Sequence, residues 1–313
     1  MIVNGKISLS SGGGSNNRVT STSAKGIKGV VNTIIDGGTL TINSADDGIH
    51  SNNNLSINGG TCDISSGDDG IHADTSLGIN GGDINITKCY EGIESRSVIA
   101  ISDGNIHIVS SSNGINVAAG GGAEAFPGRG GTTTVASNRI LYINGGYIVV
   151  NATGDGIDIN GSIVMTGGDV LINGPTSNMD GALDYDTSFK ITGGFLVAAG
   201  SSGMALAPGT SSTQYSVLLN FTSVQQAGTI FHIQTSAGKE IFSFKPTKQY
   251  KSVAFSSSQL KKSSTYDIYY GGTSTGAVND GLFQNGTYSP GTKYTSFTIS
   301  GIVTKIGNSG TPF

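Results

Sequence analysis

Glycine recurs at a fixed interval of 22 residues: Gly26, Gly48, Gly70, Gly92 and Gly114. Twice it sits in the phrase Asp-Asp-Gly-Ile-His, at 46–50 and 68–72. A fixed period of this length marks stacked copies of one structural unit. After Gly114 the next match is Gly156, a step of 42. Residues 120–139 fill the excess and read as an inserted loop. Gly181 and Gly203 continue the series in degenerate form.

Apolar residues keep the same beat. Leu40, Cys62, Ile84 and Ile106 form one column; Ile42, Ile64, Ile86 and Ile108 form a second; Ile49, Ile71, Ile93 and Ile115 form a third. Leu55, Leu77 and Ile99, and then Ile57, Ile79 and Ile101, complete five. Within each copy apolar and polar residues alternate, which is strand period. Glycine pairs such as Gly37-Gly38, Gly59-Gly60 and Gly81-Gly82 punctuate the strands. One copy cannot bury its apolar face alone, whereas a stack can. The spacing predicts an all-β fold, a right-handed parallel β-helix with three strands per coil of ~22 residues, coils ~4.8 Å apart. It occupies residues 1–209. From 210 to 313 the period disappears. The stretches 215–221, 230–233 and 266–270 read as strands of a β subdomain that caps or packs on the solenoid, because an open strand edge invites aggregation.

Composition narrows the function. Glycine supplies 50 of 313 residues, and only 12% are charged. The net charge of −4 offers no basic patch, so nucleic acid is not an expected partner. No apolar run is long enough for a membrane helix. The opening residues MIVNGKISLS lack the apolar stretch of a signal peptide. Cys62 reads as a core thiol, and a disulfide with Cys89 is not expected.

The repeat stacks acids as well. Asp47, Asp69 and Glu91 share a column, and Asp46 and Asp68 share the next. Carboxylates one coil apart repel by about 3–4 kcal/mol at an effective dielectric near 20. Such a ladder must shift its pKa values, be solvated or hold a cation. Hard oxygen donors favour Ca²⁺, and the expected ligands are Asp46, Asp47, Asp68, Asp69 and Glu91. A second set comprises Asp155, Asp158, Asp180 and Asp184. Asp-Gly is also plain turn chemistry. His50, His72 and Glu94 form a further column; two histidines without a third His or Cys make zinc the weaker reading. Catalytic residues are usually written once, so repetition of the acids favours structure or metal.

The repeated Asp-Gly-Ile-His and Ile-Asn-Gly-Gly, with the tail segments FSFKP (242–246) and KYTSF (293–297), resemble a clostridial-type family of carbohydrate-binding β-helix proteins. The resemblance covers nearly the whole chain. It implies a pectate-lyase-like fold without catalysis, extracellular or cell-surface location, bound calcium, and affinity for cellulose and acidic plant cell-wall glycans such as polygalacturonate. The chain departs from most cellulose binders in having no Trp. Stacking on sugar rings then falls to Tyr90, Tyr142, Tyr147 or Tyr185, although tyrosine is also a good strand residue. Lys88 and Arg96 are the cations suited to an acidic sugar. A monomer is expected.

Two other readings stay open. A calcium-dependent pectate lyase needs a base to take the proton beside the uronate carboxylate, and Arg96 is the candidate. An arginine among acids is more often an ion-pair partner. A structural surface solenoid or adhesin would instead bind protein, with Phe126, Pro127, Gly128 and Arg129 in the inserted loop as contacts.

Overall fold

The computed structural model describes residues 1–18, 23–118 and 139–307. The inserted loop, apart from Arg139, lies outside them. The fold is all-β: a parallel β-solenoid of about seven turns, with antiparallel sheets in the C-terminal region. Among the described residues no helix is long and apolar enough to cross a membrane.

The chain divides into two compact units, the first made of 1–147, 157–166 and 185–188 and the second of the remainder. In the first unit each coil has three legs. The short leg stacks Ile27–Gly29, Ile49–Ser51, Ile71–Ala73, Ile93–Ser95, Ile115–Val117 and Ile157–Ile159 in parallel. A second leg pairs Asn32–Ile35 with Asn54–Ile57, and later Ile140–Ile143 with Ser162–Met165. The remaining leg runs through Lys6–Ser11, Thr39–Ser44 and Thr61–Ser66.

The register is the one the period demands. Leu40 pairs with Cys62 and Cys62 with Ile84; Ile49 pairs with Ile71 and Ile71 with Ile93. The step of 42 is real in space, since Ile115 pairs with Ile157 and Val98 with Ile140. The columns of Leu40 and of Ile49 point inward, with Ile49, Ile71, Ile93 and Ile115 at 0% exposure. Each such aliphatic contributes about 1.5–3 kcal/mol of burial. Cys62 and Cys89 are free thiols in this core. Burial is the main force that pushes the Cys62 thiol up to about 11.

One detail differs from three separate short strands. Ser76–Cys89 and Val98–Ser110 each run through a corner without interruption. The bend is taken by Gly82 (φ 99°) and Gly104 (φ 121°), a backbone conformation glycine reaches at no steric cost.

In the second unit Asp169–Asn173 pairs in parallel with Phe195–Gly200. Tyr250–Ser256 then lies antiparallel on Phe195–Gly200 and on Ser216–Gln225. The last parallel edge is thereby covered, as open edges require. A separate antiparallel sheet centres on Phe231–Thr235, flanked by Glu240–Phe244 and Thr265–Tyr270, with Thr292–Thr298 beyond.

Candidate functional site: an acidic corner with internal cations

The acidic phrase forms a tight corner of the coil. The N–H of Gly48 donates to Asp69 O at 2.8 Å, and that of Gly70 to Glu91 O at 2.8 Å. A Cβ on Gly48 would sit 2.5 Å from the Gly70 carbonyl oxygen. Glycine is therefore required here by close approach between coils, a different reason from the left-handed bend at Gly82.

This corner sets two side-chain columns side by side. One holds Lys25, Asp47, Asp69 and Glu91, each 22 residues apart. The other, fixed by strand register, holds His50, His72, Glu94, Asn116 and Asp158. The histidine rings stack with centroids 4.8 Å apart.

The charges of the ladder are balanced largely from within. Lys25 Nζ lies 2.9 Å from Asp46 Oδ1 and 2.5 Å from Asp47 Oδ2. Asp47 Oδ2 also meets His50 Nδ1 at 2.7 Å. Burial pushes the Asp47 carboxyl up, but hydrogen bonds from His50 and Lys25 outweigh it and hold its pKa at about 2. His72 Nδ1 faces Asp69 Oδ2 at 2.9 Å and Glu94 Oε2 at 2.8 Å, while its Nε2 faces Asp74 Oδ1 at 3.2 Å. With acceptors on both ring nitrogens the imidazolium donates twice. Burial works against that charge, yet Asp69 and Glu94 raise the pKa of His72 to about 11. Burial, followed by the neighbouring Glu94, raises Asp69 well above the usual carboxylate range. Glu94 moves the other way: burial opposes its charge, and hydrogen bonds from His72 and Asp69 overcome that.

Of the residues singled out in the sequence, Asp46, Asp47 and Asp68 come together, with one oxygen of each within 4.8 Å of the others. Asp69 joins His72 and Glu94 in a second such group, and Asp47, His50 and His72 make a third. Glu91 instead accepts from Asn116 Nδ2 at 2.6 Å. Asp158 accepts from Asn113 Nδ2 at 3.0 Å, and Asp155 from the Gly181 N–H at 2.6 Å. Asp184 stands within the strand Leu183–Tyr185, and Asp180 precedes it. None of these last five belongs to a three-residue group among the described residues.

Of the candidate sugar contacts, Tyr90 and Lys88 both meet the segment 15–18. Arg18 lies over the Tyr90 ring at 4.1 Å and pairs with Asp68 at 2.8 Å. Lys88 Nζ is tied to Ser15 O at 2.9 Å and Asn16 Oδ1 at 2.6 Å. Arg96 Nη2 is 3.4 Å from Asp74 Oδ1, in an ion pair. Tyr142 is exposed on Ile140–Ile143, opposite Ala100 on one side and Val164 on the other. Tyr147 tilts against His107 at 6.0 Å, and Tyr185 is half-buried. Sequence reasoning missed Lys25 and Arg18 as partners of the acids. Lys25 was findable, one repeat before Asp47; Arg18 lies outside the period.

The donor chemistry of Asp46, Asp47 and Asp68 suits a hard divalent cation, for which Lys25 is the built-in competitor. A family model described as "Carbohydrate-binding domain-containing protein" matches residues 1–70 and 68–291. No curated protein and no solved structure matches the chain.

Proposed function

Because the chain belongs to the carbohydrate-binding domain-containing family, we propose that it is a non-catalytic, extracellular or surface-displayed monomer that binds cell-wall polysaccharide. Cellulose and polygalacturonate-type chains are the proposed ligands. The observation that carries this reading is the set of polar ladders on the outside of the coils. Asn54 Nδ2 donates to Asn32 Oδ1 at 3.2 Å and Ser76 Oγ to Asn54 Oδ1 at 2.6 Å. Asn58 donates to Asp36 at 2.6 Å and Asn80 to Asn58 at 2.8 Å. These side chains are held in line over three successive coils, so a polymer lying along that part of the stack meets similar groups at each step.

Calcium belongs to the same proposal. Asp46, Asp47 and Asp68 are the residues to hold it, and a bound ion would neutralise them and bridge to a uronate carboxylate. Ion pairing of Arg96 with Asp74 supports binding over lyase chemistry, since a base must be available to substrate.

Pull-down on cellulose and on polygalacturonate, with calcium and with chelator, tests the reading. Calcium-sensitive retention on polygalacturonate without unsaturated product is the expected outcome. Product that disappears in Arg96→Ala would replace binding by lyase activity. Asp68→Asn should abolish the rise in melting temperature that calcium gives the parent protein; an equal rise in both removes Asp68 from the calcium site.

A further inference from the structure

The second unit contains a cleft that no repeat of the sequence marks. Its cavity is about 300 Å³, at the small end of ligand sites, which span ~300–1,000 Å³. That volume suits one ring of a glycan rather than a long chain. Three aromatic side chains line it: Phe195, Phe242 and Phe283. Phe195 and Phe242 are locked edge to face with centroids 5.2 Å apart. Around them stand two carboxylates, Asp169 and Glu240, and two amides, Gln259 and Asn285. Asp169, Gln259 and Asn285 are exposed, whereas Phe242 is buried, so the polar groups rim an apolar floor. Glu240 is steadied by Ser243 Oγ at 2.9 Å, and Gln259 by the Ile241 carbonyl at 3.4 Å.

Each component has a counterpart in a pyranose. The C–H face of the ring packs on apolar and aromatic surface, while hydroxyls need acceptors and donors around the edge. Carboxylates accept from hydroxyls, and amides both accept and donate. Charge sets the class of sugar. Among the described residues none of the side chains lining the cleft is cationic, so a uronate would meet two carboxylates and no counter-charge from them, which is repulsive. We infer that this cleft binds a single uncharged pyranose unit of a neutral glycan and rejects uronic acids. The inference rests on the carbohydrate-binding reading above but assigns it a second site, built from none of the residues of the acidic corner and independent of calcium.

Calorimetric titration of the full chain in chelator, with cellohexaose, xylohexaose, mannohexaose and hexagalacturonate as probes, tests it. At least one neutral probe should bind. Phe283→Ala and Gln259→Ala should each weaken it by tenfold or more, and hexagalacturonate should not compete. Gln259 is exposed, so its variant keeps the fold, and unchanged melting temperature verifies this. Unaltered affinity in both variants, or displacement by hexagalacturonate, overturns the assignment. So does failure of all three neutral probes. If polygalacturonate is still retained in calcium, the carbohydrate reading survives that failure; if no glycan is retained at all, both fall.

Discussion

The solenoid of the first unit and the antiparallel sheets of the second solve the same burial problem by opposite means. The solenoid core is aliphatic, written as columns of Ile and Leu whose partners are 22 residues away. The sheets converge on one aromatic cluster. Phe231 lies 6.5 Å from Phe221, 5.6 Å from Phe242 and 5.5 Å from Phe255, centroid to centroid. Stability in a stacked array is close to a sum over repeats and their interfaces. In a convergent cluster it is concentrated in a few large side chains. The first arrangement constrains the backbone tightly at corners and loosely between them; the second has no such repeat to fall back on.

Phe231→Ala should have the largest effect, about 3–5 kcal/mol in denaturant unfolding; a loss below about 2 kcal/mol would show that the cluster is not convergent. Gly70→Ala comes next. Its Cβ would meet the Gly92 carbonyl oxygen at 2.6 Å and Ile86 carbons at 2.8 Å, a crowding expected to cost about 1–3 kcal/mol.

A smaller effect concerns pH. The pKa of His72 is raised in the folded protein to about 11 from an ordinary 6.5. Its contribution is therefore full below about pH 6.5 and is lost as pH rises toward 11. Asp47, lowered to about 2 from 3.8, contributes above about pH 4 and fades as pH falls through 2. Melting temperature in chelator should decline from pH 6 to pH 10, and His72→Gln should flatten the decline. The smallest effect belongs to Gly78→Ala. A Cβ there meets only Ser56 Oγ, at 4.0 Å, so stability should change by no more than about 0.5 kcal/mol. A large loss would contradict the view that only corners are crowded.

The same contrast explains what was legible beforehand. Period 22 placed Leu40, Cys62 and Ile84 in one inward column because a parallel stack allows no other register. It also placed Asp47 beside Asp69 and His50 beside His72. It did not reveal that Lys25 and His72 would neutralise the acids, because side-chain partnership across columns depends on corner geometry rather than on spacing along the chain. Arg18, outside the repeat, gave no signal. The strands at 215–221 and 266–270 were visible from their β-branched and aromatic content. The cleft beyond them was not: Asp169, Glu240, Gln259 and Asn285 come from segments that share no period.

The pairing of Ile115 with Ile157 and of Val98 with Ile140 has a consequence for how such a chain can change. A step of 42 replaces a step of 22, so 20 additional residues enter between Val117 and Ile140 while these two ladders close without slip. Chain length and lattice geometry are uncoupled at that junction. It acts as an expansion joint, where sequence can be gained, lost or exchanged without realigning the strands on either side.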